Sequence, residues 1–150
     1  MQSLFDPNGN RIIIERIDQL TPIVLSQWGK MTVSQMLLHC QMPIKVAFGE
    51  MEIKPNWFLK TFFGRSSKKM FIDSKPLRHD LPTSNEFKIT HEPDFDQAKE
   101  ELKALVKQFT EKGPAVIKIE KHPLFGKMTM EEWDMAQYNH LDHHLRQFGV

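Results

Sequence analysis

The sequence predicts an all-α fold, and two observations support that prediction. Four stretches carry apolar residues at steps of three and four, which is the period of an amphipathic helix and not of a strand. Residues typical of helix starts and helix stops flank these stretches. A chain of 150 residues is long enough to bury a core of its own, so we expect one domain over residues 1–150.

The first two helices are predicted in the N-terminal third of the chain. Residues 9–20 carry isoleucines and a leucine at helical spacing, and Pro22 ends this helix because its ring disfavours helical geometry at the preceding residue. Adjacent isoleucines in this stretch leave a strand as the alternative. Thr32 and Gln35 form a capping box, so a second helix begins there, and its apolar stripe reaches Ala47.

The two later helices also carry their own boundary signals. Asp94 is a good N-cap for the third helix, and Gly113, followed by proline, is a stop signal. Thr129 and Glu132 form a second capping box. We therefore expect the last helix over residues 130–148.

The segment over residues 51–93 has no sustained period and is interrupted by prolines. Residues 55–64 predict a short aromatic helix, and residues 66–90 predict an irregular excursion. Residues 115–120 alternate weakly and predict an extended stretch. Four aromatic residues near the start of the long segment either form a lid over a cavity or pack on the flank of the helices: Trp57, Phe58, Phe62 and Phe63.

The composition argues against several classes of partner. Lys and Arg number 20 and Asp and Glu number 19, so no basic surplus indicates a nucleic-acid partner. No apolar run approaches the roughly 20 residues that cross a bilayer, and the first residues do not resemble a secretory signal. Cys40 is the only cysteine and cannot form an internal disulfide, which favours the cytoplasm.

Three histidines are predicted to project toward the interior of the helices. His140 and His144 are one turn apart on the last helix and lie within its apolar stripe. His39 lies at the margin of the stripe of the second helix. If these helices are antiparallel neighbours, the three imidazoles reach similar heights. Three buried histidines without partners would be costly, and one divalent metal ion would satisfy all three nitrogens.

Simpler interpretations also account for these histidines. His39 alone is compatible with a hydrogen-bonded core histidine, and the pair His140 and His144 with a solvated helix end that complements the helix dipole. Three imidazoles with open positions suit zinc, nickel, iron or manganese. The sequence therefore predicts a metal site without selecting the metal.

Three motifs carry a resemblance to a known group of proteins: Trp28-Gly-Lys-Met-Thr, the segment from His122 to Trp133, and the segment from His140 to Gly149. Together with the spacing of the histidines, they resemble an uncharacterised subfamily of the DinB/YfiT-like metal-dependent four-helix-bundle superfamily. The resemblance implies an up-down-down-up bundle whose long crossover is the 51–93 segment. It also implies a divalent metal held by His39, His140 and His144.

The resemblance further implies a function. Some members of that superfamily transfer low-molecular-weight thiols, so the leading hypothesis is a metal-dependent S-transferase that acts on a small-molecule substrate. A hydrolase-like activity is the second enzymatic alternative, but a metallopeptidase of the His-Glu-x-x-His type is disfavoured because Leu141 stands where its general base would be. The alternative is a non-catalytic ligand-binding or stress-response bundle with a structural metal. Many proteins of that superfamily look dimeric, so the resemblance also implies a homodimer, but nothing in the sequence identifies an interface.

Other polar residues near the predicted site are weaker candidates. Glu50, Gln137 and His143 are candidates for acid–base roles or for hydrogen bonds to the metal ligands. Cys40 and Asp142 are predicted to point away from the site. The three further histidines are not assigned to the site. His79 and His91 lie in predicted loops and show no convergent pattern, and His122 is assigned to the start of the last helix.

Overall fold

A computed structural model describes residues 2–55, 57–73 and 75–150, without the side chains of residues 58, 62, 63, 65 and 66. The described part of the chain is mostly helical, at 57%. It contains one small antiparallel hairpin, β1 (Lys121–His122) with β2 (Gly126–Lys127). The α-helices are α1 (Pro7–Gln19), α2 (Val33–Ala47), α3 (Trp57–Phe63), α4 (Arg65–Ile72), α5 (Phe95–Lys112) and α6 (Met130–Gln147).

Side-chain caps fix the starts of the four longer helices. Both predicted capping boxes are present, with Thr32 opening α2 and Thr129 opening α6. Asp94 caps α5 as predicted. Helix α1 begins earlier than predicted, because Asp6 is its N-cap and Pro7 occupies the first turn. Proline is tolerated there because the first amides of a helix lack intrahelical partners.

The four longer helices pack around a common apolar core. Helix α1 contacts α5 and α6, and α2 contacts the same two helices. The largest fully buried side chains come from all four helices, and they include Ile13, Leu37, Phe109 and Trp133. In the described part of the chain, no helix has the length and apolar character needed to cross a membrane.

The connection over residues 51–93 packs on α2 and α6. A 3-10 turn at residues 85–87 contacts α2, and α4 contacts α6. Asn139 of α6 anchors this contact, because its side-chain amide donates to the carbonyls of Phe71 (2.7 Å) and Asp73 (2.8 Å). Part of the predicted irregular excursion is thus helical, and it lies directly over the helices that carry the histidines.

The structure corrects the prediction of an extended stretch over residues 115–120 at its first two residues, whereas the backbone is extended at Ile117. Residues 113–116 form a 3-10 turn, and the extended pairing begins only at Lys121. Pro114 explains the turn, because proline fits the first turn of a helical segment and its fixed dihedral angle favours that geometry.

Candidate metal centre

His39, His140 and His144 meet between α2 and α6. The centroids of the His39 ring and the two other rings are 5.1 and 4.7 Å apart, and His140 and His144 are separated by 4.7 Å. One nitrogen from each ring lies within 4.8 Å of the other two. The predicted cluster is therefore confirmed as a group that can hold a metal ion.

Hydrogen bonds fix the orientation of two of the three rings. Nδ1 of His39 lies 2.9 Å from the carbonyl oxygen of Phe87, and Nδ1 of His144 lies 2.8 Å from Oε1 of Gln147. Both oxygens can only accept, so each Nδ1 carries the proton and each Nε2 presents a lone pair. Metal-binding histidines characteristically donate their second nitrogen to an oxygen in this way.

Gln147 is itself fixed by the loop before α2. Its Nε2 donates to the carbonyl of Trp28 at 2.7 Å, which identifies Oε1 as the acceptor for His144. Gly29 has φ +75, and a Cβ at this position would lie 2.7 Å from that Nε2. The Trp-Gly pair at residues 28–29 is thus explained, because glycine permits both the left-handed backbone and the close approach.

Burial keeps the three imidazoles neutral. It lowers the pKa of His39, although the hydrogen bond to Phe87 opposes the shift. It lowers the pKa of His144 to about 3. The pKa of His140 is well below its usual range because of burial and because of the neighbouring His144 and His39. Neutral nitrogens are the form that binds a metal, so no proton competes with the ion near neutral pH.

The distance between two of the three ligand atoms matches that in the site of a small divalent ion. Nε2 of His39 and Nε2 of His140 are 3.2 Å apart, and two ligands about 2.0–2.1 Å from a tetrahedral ion are about 3.3 Å apart. The three rings line a cleft of about 310 Å³. This volume is at the lower end of the range for small-molecule sites. Three neutral nitrogens beside such a cleft fit a metal that keeps a position for a further ligand.

The weaker candidates occupy three different environments. His143 lines the same cleft, with its ring centroid 5.0 Å from that of His144. Gln137 is buried beside His140, and its Oε1 has no hydrogen-bond partner within the described ranges. Glu50 is exposed beyond the end of α2 and does not line the described cleft.

An aromatic wall beside the cleft was not predicted. Trp28 stacks on His79 with ring centroids 3.9 Å apart, and its ring lies 5.6 Å from that of His143. His79 and Trp28 lie in loops with no period, so the sequence carries no signal for this contact. The wall brings the loop before α2 and the 51–93 connection to the same edge of the site.

The remaining sequence predictions can be compared with the structure individually. Cys40 is buried, and Asp142 forms an ion pair with Arg16 (2.7 Å) instead of facing the histidines. Trp57, the first of the four residues suggested to form a lid, is 73% exposed and does not line the described cleft. Phe58, Phe62 and Phe63, the other three residues of that hypothesis, have side chains outside the described set.

The fold and the site define a helical protein with a buried cluster of three histidines that opens into a cleft. A family model described as "Protein of unknown function (DUF1569)" matches residues 4–149. The chain belongs to this family. No curated protein and no solved structure matches the chain.

Proposed function

We propose that the protein is a metal-dependent enzyme whose ion is held by His39, His140 and His144. The observation that carries the proposal is the convergence of three neutral nitrogens, two of them oriented by hydrogen bonds at Nδ1. When bound, a divalent ion would lower the pKa of a thiol or a water molecule and make it nucleophilic at neutral pH. The metal is zinc, nickel, iron or manganese.

The surrounding residues would control protons and water at this site. His39 and His144 keep their protons on Nδ1, toward Phe87 and Gln147. Nδ1 of His140 is buried, and the described residues offer it no hydrogen-bond partner. Gln137, one turn earlier on α6, has an unpartnered Oε1. We assign to Gln137 the role of accepting the Nδ1 proton of His140 when Nε2 of that ring is a ligand.

The open cleft supports a catalytic role for the metal over a structural one. Structural sites usually have four protein ligands, whereas catalytic sites keep one position for water or substrate. In the described part of the chain, the group that could hold a metal ion contains three residues, and Glu50 neither belongs to it nor lines the cleft. The alternative, a ligand-binding bundle with a structural metal, would require a fourth protein ligand.

The finer parts of the sequence-based hypothesis belong to the same proposal. We propose that the chain shares the up-down-down-up four-helix topology of the DinB/YfiT-like proteins, and the contacts of α1 and α2 with α5 and α6 support this. A low-molecular-weight thiol is the proposed co-substrate, and a homodimer is the proposed assembly. The single, buried Cys40 suits the cytoplasmic location that we also propose.

Metal content after purification without chelators tests the site. We expect one divalent ion per chain in the wild type, and loss of that ion in His140→Ala. His91→Ala is the matched control, because His91 is exposed and is not part of the cluster. Wild-type protein without bound metal, or a His140→Ala variant that retains it, would refute the proposed site.

Thiol transfer assays test the chemistry. Metal-loaded protein is incubated with an electrophile and each of several bacterial low-molecular-weight thiols, and loss of free thiol is followed. We expect turnover with at least one thiol, and no turnover with His140→Ala. Stoichiometric metal together with inactivity toward every thiol would favour the ligand-binding alternative.

A further inference from the structure

A second, apolar cavity lies beside the metal cleft. It has a volume of about 90 Å³ and lies between α2, α4 and α6. Most of its lining is apolar and comes from these helices and from the segments before them: Pro43, Leu59, Phe71, Leu124, Phe125 and Ala136. The chemistry suggested for the metal uses none of these residues.

The cavity and the cleft adjoin, and part of the wall of each is formed by the same residues. Five residues line both spaces: Phe71, Pro82, Thr83, Phe87 and His140. His140 thus faces the metal site on one side and the apolar cavity on the other. Pro82 and Thr83 belong to a connection without regular structure, so part of the wall is formed by a loop. A molecule bound at the three histidines therefore lies next to the apolar cavity, on the side of His140.

We infer that the substrate is a small amphiphile with a metal-binding oxygen or sulfur head and a short, unbranched aliphatic tail. The head binds at the three histidines, and the tail occupies the apolar cavity beside His140. This inference rests on the proposed metal function and specifies its substrate class. An aliphatic tail fits because most of the cavity lining is apolar. The polar side chains that also line it (Ser67, Thr83, Ser84, His122, Gln137 and His140) include no Asp, Glu, Lys or Arg. A charged tail would therefore lose its hydration without a charged partner.

The size of the cavity limits how much of the tail can be buried. An engineered apolar cavity of about 150 Å³ binds benzene. By proportion, a cavity of about 90 Å³ accommodates roughly three or four carbon atoms. Ala136 lies in the wall and is 6% exposed. A larger side chain at this position would fill the space that the tail requires.

A series of alkyl hydroxamates tests the inference, because the head is constant and only the tail changes. Cobalt-loaded protein is titrated with aceto-, butyro-, hexano- and octanohydroxamate, and binding is followed in the cobalt absorption spectrum. We expect affinity to rise by about fourfold for each methylene that enters the cavity. The rise stops between butyro- and hexanohydroxamate, whose tails have three and five carbon atoms, because the cavity holds roughly three or four.

Two variants with opposite effects separate the cavity from the metal. Ala136→Leu should abolish the dependence on tail length while acetohydroxamate binds as to the wild type. Leu59→Ala, which enlarges the cavity, should extend the rise to octanohydroxamate and carries the test if Ala136→Leu does not fold. Ala104→Leu is the matched control, because Ala104 is exposed on α5, and it should behave as the wild type.

Xenon provides a readout that does not depend on metal. Crystals of the metal-free protein under xenon pressure should show xenon in the apolar cavity, and crystals of Ala136→Leu should not. Equal affinity of cobalt-loaded wild type for all four hydroxamates would overturn the inference but not the proposed metal function. A cavity that takes no xenon would have the same meaning. Failure to bind cobalt would refute the proposed metal function and, with it, the inference.

Discussion

Replacing Gln147 by methionine should weaken metal binding without removing a ligand. The side chain of Gln147 is 3% exposed. It accepts from Nδ1 of His144 (2.8 Å) and donates to the carbonyl of Trp28 (2.7 Å). Methionine has a similar length but replaces neither bond. Both partners then lose their hydrogen bond, and His144 loses the oxygen that orients its ring.

The structure sets the expected magnitudes. A buried group left without its partner costs about 1–3 kcal/mol. Because two groups lose their partner, the free energy of unfolding of metal-free protein should fall by about 2–6 kcal/mol. Loss of an oxygen that orients a metal-binding histidine lowers affinity about 10- to 100-fold. Denaturant unfolding measures the first quantity, and competition with a chromogenic chelator measures the second.

Gln41→Met is the matched control. Gln41 is also buried, and it also makes two hydrogen bonds, to the carbonyl of Ala98 and from Nζ of Lys45, both 3.0 Å long. It does not line the cleft. Gln41→Met should therefore lose stability to a similar extent but keep the metal affinity of the wild type. Equal affinities in Gln147→Met and the wild type, or an equal loss in Gln41→Met, would refute the orienting role.

Three further predictions follow from the same structure. Gly29→Ala should destabilise the protein by about 1–2 kcal/mol through its left-handed backbone and should also weaken metal binding by displacing Gln147. Gly126→Ala is the control: it has φ +77 and nothing within 4 Å of the added Cβ, so it should lower stability only. Chelator competition measures the metal affinities, and equal values in the two variants would contradict this prediction. Burial lowers the pKa of His122 from 6.5 to about 4, so metal-free protein should lose stability as the pH falls below 6.5, because the unfolded state takes up a proton that the folded state does not. His122→Asn keeps an acceptor for the amides of Leu124 and Phe125 and should reduce the slope of stability against pH by about 1.4 kcal/mol per pH unit. An unchanged slope in urea titrations would contradict the assignment. Cys40 is buried, and burial raises the pKa of its thiol, so a disulfide reagent should modify it only at the rate of unfolding; rapid labelling of the native protein would show that the thiol is accessible.

The features that were predictable from the sequence are those encoded within one helix. The pair His140 and His144 could be assigned to an inward face because its spacing and that of the neighbouring apolar residues are local. The caps at Thr32 and Thr129 could be identified for the same reason. His39 joined the pair only through an assumption about how two helices pack, and the structure agrees with that assumption.

The features that were missed depend on loops or on interrupted patterns. The Phe87 carbonyl that binds His39 and the Trp28–His79 stack come from segments without a period, so their positions depend on tertiary packing. Helix α4 was missed because its apolar residues are consecutive at residues 70–72 and follow a polar stretch. The start of α1 was missed because Asp6 precedes the first apolar residue of the pattern by more than one turn.

The separation of the histidines along the chain has a consequence during synthesis. The contact between His39 and His140 spans 101 residues. At about 5–20 residues per second, a ribosome needs about 5–20 s to pass from one to the other. A nascent chain that carries only His39 offers a passing metal ion a single weak ligand. The proposed ion would therefore be acquired only after α6 has been made and has docked against α2, and chains arrested before that point would remain without it.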